Sequence, residues 1–454
     1  MSNPRFIAAL AAGKVCAALS RVLAPKRGSN LPGAVALKLD PDFLKHVKGI
    51  DPAKTVFITG TNGKSTANNM IVHALKTDGR SVCSNLEGAN MKPGAAAALV
   101  KSSTAGGRFN KEYLILEIDE RSLHSAAEDL KPGHLCVTNI QKDQVQRNGD
   151  PDYIYQKIKG VIERSTGLTL FVNNEEPRSK SLGDHLSEDS RAVFFGVARN
   201  VRGFTPEREW EVTMPCPSCG DALTFEWYNL AGVGAFRCGA CGFSSNDSAD
   251  CMITEVDYEG GTFKAGGEEY RLKYPAEFFL YNYALCLCVC AELGIPPAIL
   301  KKAFETFENI GGRTETFLYA GKDIKYMRIK QENPETLQSA LDTIAVDKTE
   351  KVFVLGPAVI DDMVPHYSNT FYTFDCDFDP LIQSGVERAI CFGDTIALDT
   401  ANRLRYAGIP YDRITILDTD DDERILEAIA ACETDNVYLI TWIKKFEKLK
   451  RRAG

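Results

Sequence analysis

Positive charge is the first thing this sequence is short of. Against 61 Asp and Glu there are 53 Lys and Arg, a formal net charge of −8 over 454 residues. A chain with that balance has no global field with which to condense on a polyanion, so a general DNA or RNA coat is excluded. Long apolar runs are missing as well. No window approaches the roughly 18 uncharged apolar residues that a membrane span requires. The apolar stretch from Pro4 to Pro25 is broken by Lys14 and Arg21 and lacks the h-region and small-residue cleavage site of a secretory signal. A cytoplasmic chain is expected, its thiols reduced or bound to metal. Histidine is scarce: six are scattered along the chain, leaving no Cys-His catalytic pairing to argue for. The 14 cysteines amount to about 3%, far below the density of a disulfide scaffold. No repeat of about 20 to 50 residues recurs. What is present is ordinary globular material, 44% hydrophobic and 25% charged. At about 150 residues per domain it is enough for roughly three domains.

Residues 1–50 read as a lead-in made of an amphipathic helix, a Pro/Gly loop from Lys26 to Gly33 and a short segment ending near Val47. The β-branched run Lys54 to Thr59, a glycine-rich turn and a helical stretch from Ser65 to Lys76 then give strand, loop, helix. The runs Tyr113 to Leu116 and His134 to Val137 are apolar at every position, as parallel strands covered on both faces should be. A doubly wound α/β domain over residues 51–314 is expected. A short-segmented, cysteine-bearing insertion interrupts it at about 205–255, and a helix follows from Ala276 to Leu293. From 315 to 454 a second α/β pattern alternates strands (Val352 to Leu355, Arg388 to Phe392, Ile414 to Leu417, Val437 to Ile440) with helices.

The sharpest local motif is Thr59-Gly60-Thr61-Asn62-Gly63-Lys64-Ser65-Thr66. Glycines admit backbone amides to phosphate oxygens, and a helix N-terminus adds partial positive charge. In that reading Lys64 bridges the terminal phosphates and the Ser65 hydroxyl meets Mg²⁺. The spacing is one glycine short of the general phosphate-loop pattern, since position 58 is isoleucine, and a plain glycine turn is the competing reading. Magnesium also needs a carboxylate. Glu117, Asp119 and Glu120 end a strand, where α/β sheets bind ligands, and Glu117 is the candidate. A solvated acidic turn is its alternative.

The second motif is Cys216-Pro-Ser-Cys219 and Cys238-Gly-Ala-Cys241, separated by 18 residues. This is the spacing of a four-thiolate zinc ribbon, in which a closed tetrahedral shell folds the segment and leaves no position for catalytic water. Cys286, Cys288 and Cys290 fall two apart on a helix, about 200° around its axis, so they read as core residues rather than one site. Arg313, after Gly311-Gly312, is a candidate phosphate ligand through its fork of donors. The basic run Lys444 to Arg452 reads as a solvated face, with attraction to an anionic membrane as the second reading.

These residues resemble the Mur ligase superfamily and, within it, the MurT subunits of lipid II isoglutaminyl synthase. The loop from Thr59 to Ser65 resembles the shortened phosphate loop of that family. Other similar stretches are Leu31-Pro32-Gly33, Asn85 with Asn90-Met91, Leu116 to Glu120, Thr138-Asn139, Asp143-Gln144, Asn173 to Pro177, Asn282, Gly312-Arg313 and Arg403 to Gly408. The resemblance implies a Mur ligase-like parallel-sheet ATPase domain with an inserted zinc ribbon and a Rossmann-like C-terminal domain. It further implies ATP, Mg²⁺ and structural Zn²⁺, with ATP held by Gly60 to Thr66, Asn282 and Arg313. The implied activity is a ligase that phosphorylates the α-carboxylate of D-glutamate in the lipid II stem peptide. Ammonia from a GatD-like glutamine amidotransferase partner then displaces the phosphate. Two stretches depart from the pattern. The third domain carries His366 and Asn369 where the family has internal aspartates, one of which completes the partner's glutaminase triad; Asn369 stands as the weaker substitute. Gln141 to Asn148 keeps only part of the family's element, and Lys159 lies at the distance of the carbamylated lysine of many Mur ligases. A stand-alone carboxylate-amine ligase on another substrate is the alternative.

Overall fold

The computed structural model describes residues 3–23, 30–86, 90–143, 149–205, 214–230, 232–308, 314–330, 332–357, 371–393 and 396–454. The chain divides into two compact units, one comprising residues 1–141 and 150–309, the other residues 142–149 and 310–454.

The first unit is built on a nine-stranded sheet. Its strands are β1 (Thr55–Thr59), β2 (Val82–Ser84), β3 (Tyr113–Glu117), β4 (His134–Val137), β5 (Thr169–Asn173) and β6 (Arg191–Val197). A separate two-stranded ribbon, β7 (Leu223–Leu230) and β8 (Val233–Cys238), follows; β9 (Cys251–Asp257), β10 (Thr262–Ala265) and β11 (Glu268–Arg271) then complete the sheet. The order is β11-β10-β9-β6-β5-β4-β1-β3-β2, parallel from β2 through β9 and antiparallel at the β9–β10–β11 edge. All five residues of β1, of β3 and of β5 are buried, because helices cover both faces. Val56, Ile58 and Ile115 enter one core, with the helix Lys64–Thr77 and the later helices Glu277–Glu292 and Pro297–Thr306. Phe57, Leu114 and Leu116, one residue out of phase, enter the other.

Residues 1–50, read from sequence as a lead-in, contribute to that second core through Phe6, Leu10, Ala36 and Phe43. They form α1 (Pro4–Leu23) and α2 (Leu31–Leu39), which pack on each other. A side chain at Gly33 would strike the Pro93 carbonyl, so glycine there sets how closely α2 approaches the helix Lys92–Lys101. Strand β1 lies between β3 and β4, the point at which the strand order reverses and the crevice of a doubly wound sheet opens.

The second unit has a six-stranded sheet of β12 (Thr314–Tyr319), β13 (Lys322–Met327), β14 (Lys351–Gly356), β15 (Val386–Phe392), β16 (Ile414–Leu417) and β17 (Asn436–Thr441), ordered β12-β13-β17-β14-β15-β16. The β12–β13 pair is antiparallel and the rest parallel. Phe353 and Leu355 pack with the helices Pro334–Val346 and Ala397–Tyr406, while Val352 and Val354 pack with Asp422–Ala430 and Ile443–Ala453. The C-terminal basic run is only partly the solvated face expected of it. Phe446 and Leu449 are core residues, and Lys445 is buried against Asp420 and Asp422.

Candidate functional site

Strand β1 ends at Thr59 and the helix begins at Lys64, with Gly63 as its N-cap at φ +86°. The four residues between are pinned from outside the loop. Asn139, at the end of β4, accepts from the Thr61 amide through its backbone carbonyl (2.8 Å) and from the Asn62 amide through its side chain (2.9 Å). Its Nδ2 donates to Asn62 O at 3.1 Å. Gln141 closes the same side, its amide donating to Thr61 Oγ1 (2.9 Å) and its Oε1 accepting from Asn62 Nδ2 (3.1 Å). Gly60 has φ +115°, and a Cβ on it would strike Thr138 Oγ1. Such a Cβ on Gly63 would lie 2.5 Å from Asn282 Oδ1. The loop is thus wedged between a strand end and the helix Glu277–Glu292, its first-turn amides facing away from intrahelical acceptors.

The charged groups around the loop are buried. Lys64 Nζ meets the Gly60 and Thr61 carbonyls and lies 2.7 Å from Glu120 Oε1, both side chains under 10% exposed. Ser65 Oγ donates to Glu117 Oε2 at 2.7 Å. Asn90 Nδ2 donates to Glu117 Oε1 (3.1 Å), and Asn85 makes paired bonds with the Glu117 backbone, 2.8 and 3.0 Å. Glu117, Asp119 and Glu120 are all buried, so the strand end is not a solvated acidic turn; burial of three carboxylates is sustained by amide donors and by Lys64. A hydroxyl and a carboxylate side by side are hard oxygen donors of the kind Mg²⁺ takes. With the adjacent lysine and helix N-terminus the arrangement fits a magnesium-bound phosphate chain. Thr66 occupies the first turn of the same helix.

Other proposed site residues fall elsewhere. Arg313 and Asn369 lie outside the described residues, as do Gln144 and His366. Lys159, on the helix Pro151–Ile162, pairs with Glu163 at 3.7 Å in an i, i+4 arrangement. Cys286 and Cys290 approach to 3.8 Å between sulfurs, one helical turn apart, while Cys288 points to the Phe194 carbonyl; burial raises the Cys286 and Cys288 thiols above their ordinary value.

The four paired cysteines converge. Cys216, Cys219, Cys238 and Cys241 place their sulfurs within 4.8 Å of one another, the Cys216–Cys241 and Cys219–Cys238 separations being 3.6 and 3.5 Å. Four thiolates at about 2.3 Å from a tetrahedral metal lie about 3.8 Å apart, whereas a disulfide brings sulfurs to about 2.05 Å. The geometry therefore suits a metal and not two disulfides. The knuckle turns close through Gly220 N to Cys216 O (2.8 Å) and Gly242 N to Cys238 O (3.1 Å), around a small core of Leu223 and Phe236.

Sequence reading missed what joins these parts. Asn139, Asn85 and Asn90 lay in matched stretches but carried no role, and Glu120 was passed over for Glu117. The available signal was that a buried lysine at a loop needs a counter-charge. The turn Asn174-Glu175-Glu176 lies in the matched stretch Asn173 to Pro177 but likewise carried no role. Glu176 accepts from Ile140 N (3.1 Å), immediately after Asn139, and from Ser179 N (2.8 Å). Glu175 is fully buried beneath the ribbon: it accepts from Val197 N (2.9 Å), and its own carbonyl accepts from Gly234 N (3.0 Å). Burial pushes the Glu175 carboxyl up to about 7 against the pull of Asn174.

Two family models match the chain, the Mur ligase middle domain over residues 58–214 and the MurT ligase C-terminal domain over residues 331–443. The subunit MurT of the glutamine-hydrolyzing lipid II isoglutaminyl synthase of Staphylococcus aureus (strain COL) is 30% identical over 386 residues, covering 85% of this chain and 84% of the relative. Its counterpart from Streptococcus pneumoniae is 28% identical, covering 91% and 90%. Among solved structures, a pseudomurein peptide ligase type C from Methanothermus fervidus superposes with a TM-score of 0.67 at 19% identity, over 91% of this chain and 81% of that one, which shows a shared fold.

Proposed function

The chain belongs to the MurT family of Mur ligases, and from that premise we propose that it is the ATP-dependent amide ligase subunit of a lipid II isoglutaminyl synthase. The γ-phosphoryl of ATP passes to the α-carboxylate oxygen of D-glutamate in the stem peptide. Ammonia, delivered by a glutamine amidotransferase partner, then attacks the acyl carbon, and the C–O bond to phosphate breaks as the amide C–N bond forms. The observation that carries this reading is the juxtaposition of Lys64, Ser65 and Glu117 at the reversal point of a parallel sheet.

Ser65 and Glu117 would hold Mg²⁺, which neutralises charge on the transferring phosphoryl group. Gly60 to Thr66 would cradle the phosphates through backbone amides, with Asn282 lying against Gly63. Lys64 supplies a point charge once it turns from Glu120 to phosphate. The ATP-binding domain is assigned to 51–314 and the C-terminal MurT-type domain to 315–454. Cys216, Cys219, Cys238 and Cys241 hold a structural zinc that folds the insertion and takes no part in the chemistry. Because His366 and Asn369 stand where the resembled family pattern has aspartates, a second reading keeps the ligase but dispenses with the partner, using free ammonia.

Purified chain and amidotransferase, incubated with lipid II, glutamine and Mg-ATP, should yield amidated product by mass spectrometry. Lys64→Ala should lower that rate by about 10³-fold. Absence of product with either glutamine or free ammonia overturns the ligase reading; product with ammonia alone, with or without the partner, favours the second.

A further inference from the structure

The substrate proposed above is lipid-linked, yet the chain is acidic, and an acidic protein is repelled by an anionic membrane. The charge is unevenly distributed. Residues 1–39 contain Arg5, Lys14, Arg21, Lys26, Arg27 and Lys38 and not one Asp or Glu, a net +6 in a chain of −8; everything after residue 39 therefore carries −14.

The helices in this segment are built unusually on their outer side. In α1, Phe6, Ala9, Leu10 and Ala17 face the core. A surface helix ordinarily carries polar side chains opposite such a face. Here the outer positions are Ala8, Ala11, Val15, Ala18 and Leu19, with Val15 61% and Leu19 55% exposed, one turn apart. In α2, Pro32, Gly33 and Ala36 are buried while Leu31 (51%) and Leu39 (43%) are exposed. Lys38 is exposed beside Leu39. Lys14 adjoins Val15 and donates to Ser103 O at 2.6 Å; Arg5 donates to Leu39 O at 2.5 Å. Both bonds are to neutral carbonyls, so neither cation is neutralised. The first acid after α2, Asp40, is buried and bonded to His46, and the next, Asp42, pairs with Lys45.

The C-terminal helix Ile443–Ala453, the basic element conspicuous in the sequence, makes the contrast. Its apolar residues Phe446 and Leu449 are consumed by the core. Of its cations, Lys445 is paired with Asp420 and Asp422, Lys450 with Glu315 and Arg452 with Glu423. It keeps three exposed cations, Lys444, Lys448 and Arg451, but offers a membrane no free apolar surface.

We propose that the outer face of α1 and α2 is a peripheral docking surface for an anionic lipid bilayer. Val15, Leu19, Leu31 and Leu39 enter the headgroup boundary, and Arg5, Lys14 and Lys38 are drawn to the surface potential. This rests on the ligase reading only for its purpose, reaching a lipid-linked acceptor; binding itself is read without turnover. Vesicle flotation of the full chain tests it, comparing phosphatidylcholine vesicles with vesicles containing about 30% phosphatidylglycerol. Wild type should float with the anionic vesicles and be released as salt rises from about 50 to about 500 mM. The V15E/L19E double variant, altered at two exposed positions, should bind at least about ten-fold more weakly, and K38E about five-fold. A triple variant of the tail, K444A/K448A/R451A, should bind like wild type. Equal flotation with neutral vesicles, unchanged binding by V15E/L19E, or loss of binding in the tail variant overturns the proposal. So does sedimentation showing a wild-type dimer that V15E/L19E dissociates, because the face then belongs to a second copy. Amidation of a soluble stem peptide by V15E/L19E should match wild type. If wild type also fails to amidate it, the ligase reading is at fault, and flotation still decides the docking surface.

Discussion

Gly63 of the phosphate loop and Gly220 of the cysteine ribbon occupy nearly the same backbone region, at φ +86° and +82°, for different reasons. A Cβ on Gly220 would meet nothing within 4 Å, as would one on Gly242. There glycine is required only because the knuckle turn needs a left-handed residue. A Cβ on Gly63 would run into Asn282, 219 positions away in sequence. The ribbon's geometry is local, set by its turns and, in the reading above, by a metal. The loop's geometry is imposed by the rest of the unit, through Asn139, Gln141, Glu117 and Asn282. A motif that binds a mobile phosphate chain has to be held by its surroundings, whereas four thiolates and an ion hold themselves.

The largest expected departure comes from the metal proposed for the ribbon. Chelation or Cys216→Ser should unfold the insertion, seen as loss of zinc by metal analysis and as a lower thermal midpoint, while Mg-ATP affinity changes by less than about three-fold. A collapse of nucleotide binding in step with zinc would erase the distinction between the two regions. Next comes Gly63→Ala, which should weaken Mg-ATP by about 30- to 100-fold, combining steric conflict with the backbone term. In an Asn282→Ala background the penalty of Gly63→Ala itself should shrink to the backbone part, about 1 kcal/mol. Undiminished cost in that double variant would mean the neighbour is irrelevant.

Glu175, where ribbon and sheet meet, gives the third test. Its carboxyl rises from 4.5 to about 7 in the folded chain, so the native state keeps a proton that the unfolded chain releases. The stability this provides is fully present below about pH 4.5 and is lost as pH rises through about 7, on the order of 3 kcal/mol. Glu175→Gln should flatten that slope in denaturant melts across the interval; a parallel pH dependence in the variant counts against the assignment. The smallest effect is Gly220→Ala, about 1 kcal/mol of thermal stability, with Asn at the same position costing less because it tolerates the left-handed region. If Gly220→Ala cost as much as Gly63→Ala, the ribbon turn would have to be crowded after all.

Much of the alternating α/β pattern was legible in advance, because parallel strands covered on both faces must be continuously apolar: Thr55–Thr59 and Tyr113–Glu117 are such runs. The convergence of four cysteines followed from spacing alone, since two tight turns place each pair and only a short hairpin separates them. Membership of residues 1–50 in the sheet's own core was not legible, and the amphipathic helix expected there is corrected: α1 is apolar outside, at Val15 and Leu19, as well as inside, at Phe6 and Leu10. The same property hid its outer face.

What the sequence determined by itself is everything carried by near neighbours: the strand–loop–helix unit around Gly60 to Thr66, the cysteine pairs, and the family they resemble. What only the tertiary structure decided is which distant groups close on those motifs. Glu120 rather than solvent receives Lys64, Asn139 fixes the loop, Asn282 leaves no room for a side chain at Gly63, and Glu175 is buried under the ribbon. The tertiary structure likewise decided which apolar side chains of the two basic terminal segments stay exposed. Apolar side chains in sequence are counted alike whether or not the core takes them up, and packing consumes Phe446 and Leu449 of the tail helix while leaving Val15, Leu19, Leu31 and Leu39 exposed on α1 and α2.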